Sequence, residues 1–395
     1  MEYAKRFECI PPYLFGEISR MKARAIAEGK DLIDFGIGDP DQPTPRPIID
    51  SLARAAADPK THRYDESDFG WPAFINAVAS WYRRRFGVEL DPAAGEVLET
   101  IGSKEALAHL AWAFIDSGDI SLVPEPGYTV YRVNTWMAGG TPHVMPLLAE
   151  NGFLPDLSAV PADAARKAKL MYINYPNNPT GACATTGFFA DVVAFAKEYE
   201  IIVCHDAAYT EVSFDGYRPP SFLEVAGAKD VGIEMHSLSK GCNMTGWRIG
   251  MAVGNADVLR GLNKMKSNVD SKQFPAVAEA GAYALGHLDG SPETLAIYRA
   301  RRDILIEGLN SLGWSLPMSK ATLYVWAPVP ARYTSIEFAK MLLETAGVLV
   351  VPGVGYGAHG EGYVRFSLTV DGDSNGERVA EAVERLRKHG VSCTM

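Results

Sequence analysis

The sequence predicts an α/β fold in which a large domain with a mainly parallel sheet is joined to a smaller α+β domain. Three observations carry this. Short apolar runs alternate with amphipathic stretches through the middle of the chain, the signature of βαβ units. Polar clusters recur just past the carboxyl ends of those runs, where open α/β sheets place their ligands. From residue 291 onward, helix and strand separate into blocks, as in an α+β unit.

Residues 1–45 read as an N-terminal arm and part of the small domain, with Pro11-Pro12-Tyr13 and the turn-rich run G-I-G-D-P-D-Q-P-T-P (36–45). They contain no helix-turn-helix. Residues 46–290 read as the large domain. Val97–Ile101 is a strand that opens at Gly102-Ser103-Lys104 into an apolar helix, E-A-L-A-H-L-A-W-A-F-I. The strand I-S-L-V-P (120–124) precedes Tyr128. Leu170–Ile173 is a strand running into Y-P-N-N-P-T-G, and Phe188–Glu198 has helical spacing and leads into I-I-V-C-H, ending at Asp206. Residues 291–395 read as the C-terminal small domain, with a helix Ser335–Ala346, the run G-V-L-V-V-P, a strand Tyr363–Val370 and a closing amphipathic helix Asn375–His389.

At 395 residues the chain exceeds one ordinary domain, and 47% hydrophobic with 22% charged residues is a globular balance. A net charge of −10 argues against general binding to nucleic acid or anionic lipid, so an anionic ligand must be held by local positive charge. The five cysteines are scattered and include no C-x-x-C pair, which suits a reducing compartment and argues against a zinc site; no metal site is expected. Nothing approaches membrane-spanning length, and the N-terminus lacks an apolar signal core, so the protein reads as cytoplasmic.

The chemistry concentrates in S-L-S-K-G-C-N-M-T-G-W-R-I-G (237–250), where Lys240 stands between the hydroxyls of Ser237 and Ser239 and the guanidinium of Arg248. A desolvated lysine near other cations has a lowered pKa and forms Schiff bases with aldehydes. Two hydroxyls and an arginine suit a phosphate. Together they suggest pyridoxal 5'-phosphate, although the segment alone would read as a solvated Lys/Arg turn between two strands. Asp206, in C-H-D-A-A-Y, has the place of a group that keeps a pyridine nitrogen protonated, with Tyr209 near the ring's phenolic oxygen; a strand-end aspartate also caps helices. Asn178 sits in a loop fixed by two prolines and a glycine, which suits a ligand-binding amide or merely a rigid turn. Ser103 and Lys104 offer an anion site at a helix start, or a plain N-cap. Tyr128 suits stacking on a flat ring, or a core position. Arg365 interrupts an apolar strand and must meet a carboxylate, from the protein or from a substrate.

In order and spacing these segments resemble the fold-type-I, aspartate-aminotransferase-like pyridoxal phosphate enzymes, from Tyr13 to the last helix. The resemblance implies that Lys240 carries the cofactor, that Asp206 pairs with its ring nitrogen, and that Tyr209 and Asn178 bind its phenolic oxygen. It implies a phosphate site of Ser103, Lys104, Ser237 and Arg248, with Tyr128 on the ring. Arg365 and Gly38 would take the substrate α-carboxylate, and Tyr64 would reach the phosphate of the partner in a homodimer with shared active sites. P-P-Y-L-F-G-E-I, N-Y-P-N-N-P-T-G and W-Y-R-R-R-F-G-V-E-L-D-P further resemble the LL-diaminopimelate aminotransferase group of lysine biosynthesis, which implies substrate contacts from Tyr13, Lys104, Tyr128 and Asn178. One departure stands out: where that group has a glutamate before Gly70, this chain has Phe69, so Glu66 or Asp68 would have to meet a distal ammonium. The expected partners are an amino acid and a 2-oxo acid. Aminotransfer from alanine, aspartate or an aromatic amino acid, β-elimination or decarboxylation on the same cofactor, and a non-catalytic ligand sensor are the alternatives.

Overall fold

A computed structural model describes residues 2–10, 14–287 and 291–394. In chain order its strands are β1 (Ile33–Asp34), β2 (Val97–Thr100), β3 (Ile120–Glu125), β4 (Thr141–Pro146), β5 (Ala168–Ile173) and β6 (Ile202–Asp206). They continue with β7 (Gly232–Ser237), β8 (Gly250–Gly254), β9 (Tyr324–Pro328), β10 (Val348–Leu349), β11 (Val351–Pro352) and β12 (Tyr363–Ser367).

Seven strands form one sheet in the order β2-β8-β7-β6-β5-β3-β4. Only β8 is reversed, antiparallel to both β2 and β7; β3 to β7 run parallel to one another. Successive residues of a strand face opposite sides, and both sides are covered. Met171 and Ile173 join Phe74, Val78, Phe189 and Val192 on one face, whereas Leu170 and Tyr172 join Leu107, Leu110 and Leu259 on the other. Burial of each such large apolar side chain stabilises by about 1.5–3 kcal/mol, which explains why these strands read as continuous apolar runs.

The helices start and stop where the local chemistry directs. Thr185 caps Thr186–Tyr199 by accepting from Phe188 N, and Thr334 with Glu337 forms a capping box before Ser335–Ala346, which ends at Gly347 with φ 65°. The closing helix begins at Glu377, two residues later than its polar pattern suggests, because Gly376 enters it with φ 85°.

The second core lies around the antiparallel sheet β11-β12-β9 and the parallel pair β1-β10. Phe35, Leu305, Leu309, Phe338, Leu342, Val364 and Phe366 fill it, and Val212 and Phe214 from the segment after β6 insert into it. The turn-rich run is clasped here: Asp41 receives both terminal nitrogens of the fully buried Arg301, at 2.9 and 2.8 Å. Thr44 Oγ1 donates to Asn243 O at 2.6 Å, tying the same run to the Lys240 segment.

Residues 14–27 add an element that the sequence reading did not assign. They lie in the presumed arm, yet Leu14–Ala27 is a helix. Met21 and Ala25, one turn apart, lay a narrow apolar face on Trp326, Leu349 and Val351, a stripe too thin to stand out among charged neighbours. The described cysteines are all free, and no described helix is long and apolar enough to cross a membrane.

Candidate active site

A cavity of about 540 Å³ opens past the carboxyl ends of β5, β6 and β7 and reaches β9 and β12. It brings together Gly38, Ser103, Lys104, Tyr128, Asn178, Asp206, Tyr209, Ser237, Ser239, Lys240, Arg248 and Arg365. Two expected residues are not among them. Tyr64 is 92% exposed and lines a separate cavity of about 1040 Å³, and Tyr13 lies outside the described residues.

Lys240 is delivered by the antiparallel turn-back of β7 into β8. Ser237 pairs with Gly250, so the segment between them folds over the sheet end. Ser237 Oγ accepts from Ser239 N at 3.2 Å and starts the single turn Leu238–Gly241 that carries the lysine. Lys240 Nζ donates to Gly38 O at 2.7 Å. Burial lowers its pKa to about 8; Asp39 opposes this, while Arg365 and Arg248 add to it. Roughly a tenth of such an amine is unprotonated at pH 7, far more than of a free lysine. Cys242, two residues on, is pushed up to about 12 by burial and Glu211, which leaves it inert.

Asp206 ends β6. Tyr131 donates its hydroxyl to Oδ2 at 2.8 Å, while Oδ1 is buried without a hydrogen-bond partner. Burial raises the Asp206 pKa, against the Tyr131 bond and the charge of His205 and His236. A buried carboxylate oxygen without a donor is costly, so this one fits a ligand that brings a donor.

The opposite end of the cavity is cationic. Ser103 opens the twelve-residue helix Ser103–Phe114, whose free N–H groups and dipole favour an anion. Lys104 and Arg248 line the same end. Gly102, with φ 74°, lets Arg248 approach: a Cβ there would stand 2.5 Å from Arg248 Nη2. The loop is braced from beneath by Glu105, whose Oε2 accepts from Ile101 N at 2.9 Å and whose Oε1 meets the buried Lys266 at 3.0 Å. The Lys266 ammonium sits among Glu105, His109 and Asp270, the one described group with metal-ligand geometry, and supplies the positive charge there.

Arg365, 2% exposed, donates to Asn178 Oδ1 at 2.9 Å and Gly36 O at 3.0 Å, while its Nε is unpaired. It lies 4.1 Å from the Tyr324 ring centroid and 5.2 Å from that of Tyr356. Among the described residues no carboxylate forms an ion pair with it, which leaves its charge able to meet an anion in the cavity. Tyr209 hydroxyl lies 2.7 Å from that of Tyr324. Asn174 holds the loop in place, accepting from Asn178 N at 2.9 Å and donating to Asp206 O at 2.6 Å.

Tyr131, Asn174, Tyr324 and Asp39 also line the cavity and were not singled out from the sequence. Tyr131 had a signal: it follows Tyr128 by three residues in a helix start, which puts both on one side. Tyr324 had none, because only the tertiary approach of β9 brings it to Arg365.

The chain matches the family model described as aminotransferase class I and II over residues 30–386. It is 56% identical over 389 residues to the LL-diaminopimelate aminotransferase of Moorella thermoacetica, covering 98% of each chain. It is 58% identical over 386 residues to that of Syntrophobacter fumaroxidans, again covering 98% of each. Among solved structures it resembles substrate-bound BacF from Bacillus subtilis, with TM-score 0.91, 38% identity and 98% of each chain covered. It also resembles the aspartate aminotransferase of Thermotoga maritima, with TM-score 0.88, 26% identity and 98% and 99% covered. A family match spanning the sheet, the cavity and the second core leaves the assignment simple: the chain belongs to the class I and II aminotransferases.

Proposed function

We propose that this aminotransferase uses pyridoxal 5'-phosphate to move the amino group of LL-diaminopimelate to 2-oxoglutarate. The observation that carries the chemistry is the pairing, in one cavity, of a lysine whose pKa is lowered to about 8 with a buried Asp206 oxygen that lacks a donor. The residues fit the cofactor at each end. Asp206 Oδ1 offers an acceptor to the ring nitrogen; Ser103, Lys104, Ser237, Ser239 and Arg248 would hold the phosphate; Tyr128 would lie on the ring, and Asn178 and Tyr209 would reach the phenolic oxygen. When bound, the cofactor supplies an electron sink for the charge that develops at the substrate Cα.

The chain's own groups do the rest. Lys240 would bear the cofactor, and its Nζ is the group placed to take up and move the proton of the substrate Cα. Arg365 fixes the α-carboxylate through its planar fork, with Gly38 alongside, and so orients the Cα–H bond toward Lys240. The aromatic faces of Tyr324 and Tyr356 hold the guanidinium in place.

The substrate reading is supported by relatives that bear the name LL-diaminopimelate aminotransferase at 50–58% identity. The distal end would be read across a homodimer, with Tyr64 reaching the partner's phosphate. Phe69 packs into the chain's own core beside Gly95 and does not face the cavity. Asp68 is held by Asn263 Nδ2 at 3.1 Å, whereas Glu66 lines the Tyr64 cavity, which favours Glu66 for the distal ammonium. We read residues 46–290 as the large domain, with 1–45 joining 291–395 in the small one; the separate cores support this.

Steady-state rates with a panel of amino acids, each with 2-oxoglutarate, test the substrate. LL-diaminopimelate should give the highest kcat/KM, since a site built for a second ammonium and carboxylate rejects analogues lacking them by up to about 10⁴–10⁵. Equal rates with alanine, aspartate or an aromatic amino acid would leave the aminotransferase and remove its substrate.

A further inference from the structure

Behind the cavity, on the opposite face of the sheet, lies a buried polar cluster that the reaction does not touch. His205 and Asp206 are consecutive on β6 and so face opposite sides. Asp206 meets Tyr131 on the cavity side, whereas His205 packs against Phe189 and Phe222 on the other. In the register of β6 with β7, His205 stands opposite Glu234, and His236 follows on the same face as Glu234.

Glu234 is fully buried and has no lysine or arginine partner among the described residues. Instead it accepts five hydrogen bonds. His236 Nε2 at 2.7 Å, Tyr82 hydroxyl at 2.7 Å and Ser221 hydroxyl at 2.9 Å meet Oε1. His205 Nδ1 at 2.8 Å and Phe222 N at 2.7 Å meet Oε2. The other nitrogen of His205 lies 2.9 Å from Tyr175 O, with Tyr175 N at 3.3 Å. Tyr175 belongs to the loop that carries Asn174 and Asn178.

We infer that Glu234, bridging His205 and His236, is a positioning residue that holds Asp206, the Asn174–Asn178 loop and the Ser237–Lys240 turn in one fixed arrangement. Each of these three segments is one or two residues from a group bound directly or through His205 to that single carboxylate. Asp206 follows His205, Ser237 follows His236, and Tyr175 stands between Asn174 and Asn178. An isolated buried carboxylate is too costly to persist, and the donors gathered around Glu234, two of them imidazoles, are what satisfy it. Burial alone would raise the Glu234 pKa, but the bonds and charge of His205 and His236 outweigh it and hold the group well below the usual carboxylate range. The same two imidazoles lower the Asp206 pKa, so the cluster also favours the anionic form of the cavity carboxylate. The other titratable groups acting on these carboxylates are Tyr82 and, through it, Glu211 at Glu234, and Tyr131, Tyr209 and Cys204 at Asp206.

This inference rests on Asp206 serving the cofactor ring nitrogen, and the test separates the two. Glu234→Gln keeps the shape and removes the charge. Cofactor-loaded wild type and variant are compared by thermal melting, by pH titration of the cofactor's absorption band, and by kcat and KM. With the Glu234 charge and its bridge to both imidazoles gone, Asp206 meets a different field, and the band midpoint should shift by about one pH unit, the size of effect a nearby charge produces. The kcat should fall about tenfold with KM little changed, because Arg365 is untouched. A lower melting temperature with an unmoved midpoint means that Glu234 is only structural and overturns the inference. A wild type with no cofactor band refutes the reading beneath it. Should Glu234→Gln fail to fold, His236→Gln carries the same comparison, and nitrogen-15 NMR of histidines in the cofactor-free wild type gives a second measurement. Protons on His205 Nδ1 and His236 Nε2, the nitrogens that face Glu234, are expected; bare nitrogens at both positions overturn it.

Discussion

Tyr131 binds one oxygen of Asp206 and leaves the other without a partner. The Tyr131 hydroxyl lies 2.8 Å from Oδ2, and Oδ1 is buried and unbonded. The tyrosine therefore fixes the carboxylate's rotation and selects which oxygen a ligand meets.

Removing that carboxylate should be severe and removing the tyrosine mild. A charge-assisted hydrogen bond is worth about 1.5–3 kcal/mol, so Asp206→Ala should lose at least ~10–100-fold in kcat. Tyr131→Phe forfeits one bond of about 0.5–1.5 kcal/mol, or ~2–10-fold. Near wild-type turnover in a folded Asp206→Ala enzyme would remove Asp206 from the mechanism.

Lys240 should be the residue that borohydride fixes to the cofactor, and peptide mapping should place the pyridoxyl group between Ser237 and Arg248. Its lowered pKa also has a signature in the cofactor-free protein. A lysine at about 8 when folded and 10.5 when unfolded binds fewer protons in the native state between those values. Stability relative to Lys240→Met should therefore rise with pH across that window, by at most ~3 kcal/mol, and stay flat below it. Denaturant melts at stepped pH would show a flat difference throughout if the amine were ordinary.

Arg365→Lys keeps the charge and loses the planar fork. Donor and acceptor both present an α-carboxylate, so kcat/KM should fall for both, by ~10–100-fold for one or two lost charge-assisted bonds. Unchanged values for either substrate would assign the arginine a structural task.

Tyr64 lies outside the cavity that holds Lys240, so the proposed role in phosphate binding needs a neighbouring subunit. Tyr64→Phe should speed cofactor loss ~2–10-fold, the worth of one hydrogen bond, with an unchanged melting curve for the cofactor-free chain. Sedimentation at assay concentration should give a dimer; a fully active monomer would contradict the shared site.

Lys266 braces the anion end through Glu105. Lys266→Met strands Glu105 and Asp270 without their cation, and should destabilise by about 3–5 kcal/mol while weakening cofactor retention. Calorimetry and equilibrium dialysis read the two effects separately.

Much of the cavity was legible because its residues follow strand ends: Asp206 after I-I-V-C-H and Asn178 after L-M-Y-I are placed by periodicity and turn chemistry alone. The closing helix was legible from its amphipathic spacing, and Ser335–Ala346 also read as a helix. What could not be read depends on distant partners. Tyr324 reaches Arg365 across the β9-β12 pair, and Glu234 is bonded to residues as far apart as Tyr82 and Ser221. The helix Leu14–Ala27 was missed for a related reason: its thin apolar face makes sense only once β10 and β11 lie beneath it.

The pairing of β1 with β10 sets an order on biosynthesis. Ile33 finds its partner in Val348, whereas every strand of the seven-stranded sheet lies between Val97 and Gly254. At about 5–20 residues per second, the ribosome needs roughly 15–60 s to deliver β10 after β1 has emerged. The central sheet can therefore assemble while the N-terminal segment waits unpaired, with Phe35 still exposed to solvent. A nascent chain stalled near residue 290 would carry a finished sheet and a sticky leader, and that is the species a holdase chaperone would recognise.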